Sequence, residues 1–209
     1  QPNFRSSTGY GKKFLNAGNN EWGQKMQEDL TAGVRSLVSQ GIVDPKRVGI
    51  MGGSYGGYAT LAGLAFTPDV YAAGVSIVGP SNLITLLNSI PPYWEAIRII
   101  FHERMGNPTT AVGRAQLERQ SPLNSASKIK APVLGLYGGD DARVDATVPP
   151  AEAEMKKLGK TYEPHLYEGA GHGFLRAQED RDGAKRDQVP ELDAMPVGVD
   201  ACALDGVHV

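Results

Sequence analysis

A chain of 209 residues with 41% hydrophobic residues is long enough to form one domain with its own core. Its net charge of -2 argues against the strongly basic surface of a nucleic-acid-binding protein, and no apolar run approaches the length of a membrane span. The single cysteine, Cys202, excludes an intrachain disulfide and a multi-cysteine metal site. We therefore expect a globular domain with no nucleic-acid partner and no membrane partner.

The first half of the chain is predicted to alternate between helices and buried strands. Residues 1–20 are rich in Gly, Ser and Asn and are predicted to be loop-like. Apolar residues follow helical spacing over 22–40, which predicts an amphipathic helix. The apolar run 47–51 is predicted as a buried strand, and the Ala- and Leu-rich run 58–66 as the helix after it. A second buried strand is expected over 71–78.

The second half continues this alternation after a long helical interruption. Residues 81–128 contain no convincing strand and are predicted as a helical excursion over the carboxyl ends of the strands. Strands are predicted over 132–137 and 162–167, with a short helix over 150–158 between them. Strands that alternate with helices predict an α/β fold, with a mostly parallel sheet and helices on both faces.

One domain over residues 1–177 accounts for all of these elements, including the excursion at 81–128. The stretch 178–209 breaks the pattern, because Gly and Pro interrupt every run in which a last helix could form. We therefore predict an irregular tail over 178–209.

A Gly-x-Ser-x-Gly motif lies between the first predicted strand and its helix, at Gly52, Ser54 and Gly56. A serine in such a turn is the nucleophile elbow, which exposes the hydroxyl at the end of a sheet. We expect that a Cβ at position 52 or 56 would collide in so tight a turn. The N–H of Tyr55, at the start of the helix, is predicted to face a developing oxyanion. The motif in this context indicates a serine nucleophile.

A serine nucleophile requires a base within hydrogen-bond reach and an acid that orients this base. His172 follows the last predicted strand between two glycines, which we expect to let the loop bend the imidazole toward Ser54. Three candidate acids follow the third strand: Asp140, Asp141 and Asp145. The order serine, acid, histidine along the chain is that of the α/β-hydrolase triad. The sequence therefore predicts a catalytic triad.

The other histidines are weaker candidates for the base. His102 falls in an apolar helical stretch and is predicted to be packed, His165 lies within a strand, and His208 lies in the predicted tail. No carboxylates are paired as in a glycosidase, and no His, Cys and Asp residues have the spacing of metal ligands. We expect neither a metal nor a cofactor.

The excursion at 81–128 contains the bulky pair Tyr93 and Trp94. Open α/β sheets bind ligands at the carboxyl ends of their strands, where the excursion is predicted to lie. Both side chains are therefore candidates for substrate binding. The alternative, that they only pack within the excursion, stays open.

Several short segments in the first two thirds of the chain match a known pattern. They are NFRSSTGYG at 3–11, the helix around 22–34, DPKR at 44–47, GSYGGY at 53–58, ERMGNP at 103–108 and SP at 121–122. Residues 3–141 thereby resemble the catalytic domain of the prolyl oligopeptidase family, the S9 peptidases. The resemblance implies the α/β-hydrolase fold, with Ser54 as nucleophile, Asp141 of an Asp-x-Arg-Val run as acid, and His172 of Gly-His-Gly-Phe as base.

A second resemblance begins near residue 131. Its segments are APVLGLYGG at 131–139, PPAE at 149–152 and YEGAGHGF at 167–174. Residues 131–176 are similar to dienelactone hydrolases, which usually carry cysteine where this chain has Ser54. Both families share the α/β-hydrolase fold, so either one implies the triad. The change of resemblance along the chain suggests a hybrid, natural or artificial.

Two features of the S9 family are not recognisable in this sequence. One is the N-terminal propeller that screens substrates by size. The other is the set of strands that usually precedes Asn3, together with the loop that completes the oxyanion hole. We expect these N-terminal strands to be missing, which leaves Tyr55 as the one assigned oxyanion donor. The absence of these strands would also expose an edge of the sheet, which favours pairing of edge strands between chains and thus a homo-oligomer.

These observations favour a serine hydrolase that forms an acyl-enzyme, and we expect a carboxylesterase acting on short acyl esters. An ester leaving group needs less protonation than an amine, so a site with one oxyanion donor would still cleave esters. One alternative is an S9-type serine peptidase catalytic domain acting on peptides. A second alternative is a non-catalytic, hydrolase-like binding module. The sequence does not indicate a cellular compartment.

Overall fold

A sheet of four parallel strands organises the residues that the computed structural model describes, 1–175. The strands lie side by side in chain order: β1 (Gly49–Gly53), β2 (Ala73–Ile77), β3 (Val133–Gly138) and β4 (Tyr162–Tyr167). Because each neighbouring pair is parallel, every connection is a crossover and all four carboxyl ends lie at one end of the sheet. The predicted α/β fold with a parallel sheet is confirmed.

Helices form most of the crossovers and cover the sheet. In the described residues they are α1 (Lys12–Asn16), α2 (Lys25–Ser39), α3 (Tyr55–Phe66), α4 (Leu83–Asn88), α5 (Glu95–Met105), α6 (Ala111–Gln120), α7 (Ala142–Asp145) and α8 (Val148–Lys157). The helices predicted over 22–40, 58–66 and 150–158 are confirmed, with ends shifted by up to three residues. Helices α1 and α7 were not predicted, because five and four residues are too few to show a helical period. No helix in residues 1–175 has the length and apolar character needed to cross a membrane.

Strand β1 differs from the buried strand that its apolar run predicts. Within residues 1–175 it pairs with β2 alone, and its residues, three of which are glycines, alternate between exposed and partly buried. Met51 at its centre is 56% exposed. A strand with one neighbour and a helix on one face keeps part of its apolar surface in solvent, so the prediction of burial is wrong for β1.

Helix α3 forms the centre of the core on one face of the sheet. Nine of its twelve residues are buried, and Leu61, Leu64 and Ala65 pack with Val133 and with Met155 of α8. A helix that is apolar on all sides must be buried on all sides. Strands β1 and β2, helix α2 and the 3₁₀ segment Pro122–Lys128 pack around α3. The opposite face of the sheet carries a separate apolar cluster, formed by Val78, Leu136, Ala170 and Phe174 with their partly buried neighbours.

Residues 81–128 form the predicted helical excursion, which contains α4, α5, α6 and two 3₁₀ segments, Pro92–Trp94 and Pro122–Lys128, and no strand. Its core consists of Leu83 and Leu87 of α4, Met105 of α5 and Leu117 of α6, packed against Tyr58 of α3. The Tyr58 hydroxyl donates a buried hydrogen bond of 2.7 Å to the carbonyl of Gln120. Helix α3 and the excursion are thereby joined in one core.

Candidate active site

Ser54 occupies the turn between β1 and α3. β1 ends at Gly53 and α3 begins at Tyr55, so the whole change of direction falls on Ser54, whose φ of 56° and ψ of -112° are unusual for a residue with a side chain. The Ser54 N–H donates to the carbonyl of Ile77 on β2, at 2.9 Å, which fixes the turn to the neighbouring strand. This strained strand-to-helix turn is the geometry of a nucleophile elbow.

The glycines around Ser54 explain how so tight a turn is accommodated. A Cβ at Gly52 would lie 2.6 Å from the carbonyl carbon of Gly56, which confirms the expected collision at position 52. The expectation for position 56 is wrong, because a Cβ there would meet nothing within 4 Å. Gly57 is the crowded residue instead: its Cβ would lie 2.6 Å from the carbonyl oxygen of Ile77. Helix α3 passes β2 closely at this residue, whereas position 56 faces open space.

The main-chain N–H of Tyr55 is available as a hydrogen-bond donor beside Ser54. Tyr55 is the first residue of α3, and the first N–H groups of a helix have no acceptor within it. The Tyr55 side chain packs elsewhere, with its ring 4.6 Å from the centroid of Trp22 and 5.2 Å from that of Phe4. Burial raises the pKa of its phenol. The N–H of Tyr55 thus follows directly after Ser54, while its ring packs against Trp22 and Phe4.

His172 connects Ser54 to Asp141. Its Nε2 lies 2.8 Å from Oγ of Ser54, and its Nδ1 forms a short hydrogen bond with Oδ2 of Asp141. The Asp141 side chain is 1% exposed, whereas that of His172 is 37% exposed. A buried carboxylate that binds one nitrogen of an imidazole orients the other nitrogen and stabilises the imidazolium. The structure thus brings the three predicted residues together in the geometry of a serine triad.

Two loops at the carboxyl ends of β3 and β4 hold this geometry. The N–H of Gly139 donates to the carbonyl of Tyr167 at 2.8 Å, and the N–H of Asp140 donates to that of Ala170 at 2.9 Å. The loop after β4 turns at Gly169, where φ is 73°. The two glycines beside His172 have no positive φ, so the expectation that they bend the loop is wrong.

The competing candidates lie outside this hydrogen-bonded set. Asp140 is exposed, and Asp145 lies in α7, where burial and the charges of Asp141 and Asp140 raise its pKa to about 6. His165 contacts the carboxylate of Glu163 at 2.8 Å on β4, and His102 lies on α5. His208 and the predicted tail at 178–209 fall outside the described residues. Asp141 is thus the aspartate that contacts the imidazole of His172.

The excursion reaches the site through Trp94. The guanidinium carbon of Arg143 lies 4.6 Å from the centroid of the Trp94 ring, and Nη2 of Arg143 lies 3.5 Å from Oδ1 of Asp141. Tyr93 is 83% exposed and packs edge-on against Trp94, with ring centroids 6.3 Å apart. Arg143 is the arginine of the Asp-x-Arg-Val run, and the sequence pattern alone predicts no role for it. Residues 1–175 contain no group of three or more potential ligands arranged to bind a metal ion.

A serine at a strained strand-to-helix turn, with aspartate and histidine on later loops of a parallel sheet, defines the α/β-hydrolase class. The sequence pattern of the prolyl oligopeptidase family, Peptidase_S9, matches residues 1–188. The chain belongs to this family.

Two similar proteins are named as dipeptidyl peptidases. The chain is 49% identical over 184 residues to the dipeptidyl aminopeptidase BIII of Pseudoxanthomonas mexicana, a match that covers 86% of this chain and 26% of that protein. It is 45% identical over 184 residues to dipeptidyl peptidase family member 6 of Caenorhabditis elegans, covering 85% of this chain and 24% of that protein. The chain thus spans about a quarter of the length of these relatives.

Solved structures agree on the fold. A puromycin-hydrolysing peptidase of Mycobacterium tuberculosis superposes with a TM-score of 0.74 at 33% identity, covering 82% of this chain and 25% of that one. An acylaminoacyl peptidase of Pyrococcus horikoshii gives a TM-score of 0.74 at 28% identity, covering 89% of this chain and 29% of that one. The expected α/β-hydrolase fold is confirmed.

The comparisons give no support to a hybrid with dienelactone hydrolases. The S9 pattern extends through residue 188 and so includes the whole of 131–176. In the structure, β3 and β4 of that segment continue the same parallel sheet as β1 and β2. Membership of one family explains the entire described chain.

Proposed function

We propose that this chain is the catalytic portion of a serine peptidase that cleaves peptide bonds through an acyl-enzyme on Ser54. The observation that carries the proposal is the chain of hydrogen bonds from Ser54 through His172 to Asp141, in a member of the S9 family. The substrates and partners of the whole protein are part of the proposal, because the chain spans about a quarter of its relatives.

In the proposed reaction Ser54 is the nucleophile, the N–H of Tyr55 stabilises the oxyanion, and His172 transfers protons. Nε2 of His172 accepts the proton of Ser54 as Oγ forms a bond to the substrate carbonyl carbon. The oxygen of that carbonyl becomes an anion and receives a hydrogen bond from the N–H of Tyr55. When the C–N bond breaks, the imidazolium of His172 gives its proton to the leaving amine. A water molecule, deprotonated by His172, then attacks the acyl carbon. The bond from that carbon to Oγ of Ser54 breaks, and Oγ takes the proton back from His172 as the acid product leaves.

Cleavage of peptides is favoured over the cleavage of esters that the sequence had suggested. The preference for esters rested on the absence of a propeller and of a second oxyanion donor from these 209 residues. Since the relatives are about four times longer, neither absence distinguishes an esterase from a peptidase. An amine leaving group requires a proton donor, and His172 is within 2.8 Å of Ser54 to supply one.

Dipeptides are the proposed products, because two relatives, at 49% and 45% identity, are named as a dipeptidyl aminopeptidase and a dipeptidyl peptidase family member. Tyr93 and Trp94 are the proposed substrate contacts. They belong to the excursion beside the acid loop, and the exposed Tyr93 ring is free to pack against a peptide side chain.

The test is hydrolysis of a dipeptidyl anilide, an acylaminoacyl anilide and a short-chain aryl ester by the 209-residue chain. Ser54→Ala and the exposed control Ser127→Ala are assayed beside the wild type. We expect turnover of the dipeptidyl anilide that falls by about 10³-fold or more in Ser54→Ala and is unchanged in Ser127→Ala. Turnover of the ester alone would instead support the esterase, and no turnover of any substrate would support the binding module.

A further inference from the structure

A stacked pair connects the excursion with the acid loop. The Arg143 guanidinium lies over the Trp94 ring, at 4.6 Å from its centroid. Trp94 ends the 3₁₀ segment Pro92–Trp94, and Arg143 lies in the four-residue helix α7. A guanidinium over the face of an indole is attracted by the negative charge of the ring face.

Arg143 in turn faces the carboxylate that orients the base. Its Nη2 lies 3.5 Å from Oδ1 of Asp141, while Oδ2 of the same carboxylate bonds to Nδ1 of His172. The two oxygens of Asp141 are therefore divided between a cation and the imidazole. The Asp141 carboxylate is almost fully buried, so little solvent screens it from the guanidinium.

The excursion holds Arg143 at two places. The backbone carbonyl of Arg143 accepts a hydrogen bond of 3.2 Å from the hydroxyl of Ser89, which follows α4. The guanidinium is held by Trp94. A helix of four residues has little stability of its own, so these contacts decide where the guanidinium lies.

We propose that Trp94 is a positioning residue that acts through Arg143 on Asp141 and so sets the pH range in which His172 serves as a base. The proposal rests on the proposed function, in which His172 is that base. The charge of Arg143 offsets part of the negative charge that His172 experiences from Asp141. Without the Trp94 ring the guanidinium moves toward solvent, less of the charge of Asp141 is offset, and the imidazolium of His172 becomes more stable.

Asp140 and Asp145 are two further charged residues near Asp141 in the described part of the chain, and the charges of Asp141 and Asp140 raise the pKa of Asp145. A substitution of Trp94 leaves both carboxylates in place. Any change in the pKa of His172 therefore follows the displacement of Arg143. Loss of a substrate contact at Trp94 would change KM but not this pKa, because kcat/KM against pH reports the groups of the free enzyme.

The test compares Trp94→Leu, Trp94→Phe and the exposed control Ile99→Ala on α5, with thermal melts to verify that each variant folds. We expect the acid limb of kcat/KM to move up by roughly 0.3–1 pH unit in Trp94→Leu and by less in Trp94→Phe, which keeps a ring face. The acid limb of kcat/KM against pH should not move in Ile99→Ala. In an Arg143→Met background, Trp94→Leu produces no additional shift.

An NMR titration of His172, assigned with His172→Asn, gives the same pKa without any turnover. A higher pKa in Trp94→Leu than in the wild type would support the proposal even if the chain proves inactive on every substrate. A pKa that does not change in Trp94→Leu, or a rise in KM with no movement of the acid limb, would overturn it. An additional shift in the Arg143→Met background would also overturn it.

Discussion

Nε2 of His172 lies 2.8 Å from Oγ of Ser54, although 118 residues separate the two in the sequence. Ser54 follows β1 and His172 follows β4, which are the outer strands of the described sheet. Three strand spacings separate these strands, a distance of about 14 Å. The loop after β4 therefore extends back across β3 and β2. The carbonyl of Ala170 in this loop accepts a hydrogen bond from the N–H of Asp140, which follows β3 and supports the loop.

Asp141→Asn should separate the role of this acid from those of its neighbours. Asparagine keeps the shape but loses the charge that stabilises the imidazolium, so we expect kcat to fall by about 10³- to 10⁴-fold with little change in KM. Asp140→Asn, at an exposed neighbour, should stay within a few-fold of the wild type. Equal losses in the two variants, measured with the dipeptidyl anilide, would contradict the assignment of Asp141.

Gly57→Ala should destabilise the chain more than Gly56→Ala. A Cβ at position 57 would lie 2.6 Å from the carbonyl oxygen of Ile77 and 2.7 Å from Cα of Gly79, and neither backbone atom can move away easily. We expect the free energy of unfolding to fall by about 2 kcal/mol or more. Gly56→Ala has open space and a helical position, so it should be neutral or stabilising by up to about 1 kcal/mol. Urea denaturation of both variants provides the comparison, and the opposite order would refute the packing described for the turn.

Tyr58→Phe should show how strongly the excursion is joined to α3. The Tyr58 hydroxyl is fully buried and donates to the carbonyl of Gln120 at 2.7 Å. Its removal leaves a buried carbonyl without this donor, which costs about 1–2 kcal/mol of unfolding free energy. Tyr10→Phe, at an exposed tyrosine, is the matched control and should not change the denaturation midpoint. A midpoint for Tyr58→Phe equal to that of the control would show that this hydrogen bond contributes nothing.

Asp145→Asn should stabilise the chain above about pH 6 but not in acid. Burial and the charges of Asp141 and Asp140 raise the pKa of Asp145 from 3.8 to about 6, and its Oδ1 has no hydrogen-bond partner among the described residues. The folded chain thus binds this proton more tightly than the unfolded chain, and stability falls as the pH rises from about 4 through 6.

The carboxylate of Asp145 is partly exposed, so solvent reduces the effect, and we expect a gain on the order of 1 kcal/mol in Asp145→Asn at pH 8. At pH 4 the variant and the wild type should have the same stability. Chemical denaturation at both pH values measures this difference. A gain of the same size at pH 4 would show that ionisation of Asp145 is not its cause.

The regular elements could be predicted because their signals are local. β4 has the bounds expected from its sequence, 162–167. The ends of α2, α3 and α8 differ from the predicted ends by at most three residues. The nucleophile turn was recognisable because Gly52, Ser54 and Gly56 lie between a strand and a helix. Short helices such as α7 have no period to detect.

Features that depend on how distant segments meet could not be predicted. The collision at Gly57 depends on β2, and the turn at Gly169 depends on the path that the loop takes to Ser54. The contact between Trp94 and Arg143 joins the excursion to the acid loop, and no local pattern indicates it. The exposed face of β1 likewise depends on which strands pair with it.

The proposed mechanism depends most on Ser54 as a nucleophile that His172 activates. Its most direct test is the reaction of the 209-residue chain with a fluorophosphonate, followed by intact mass measurement and peptide mapping. This mechanism predicts one adduct, located on Ser54. The rate of its formation should be lower by about 10³-fold or more in His172→Asn. No adduct on the folded wild-type chain, or an adduct on a residue other than Ser54, would contradict it.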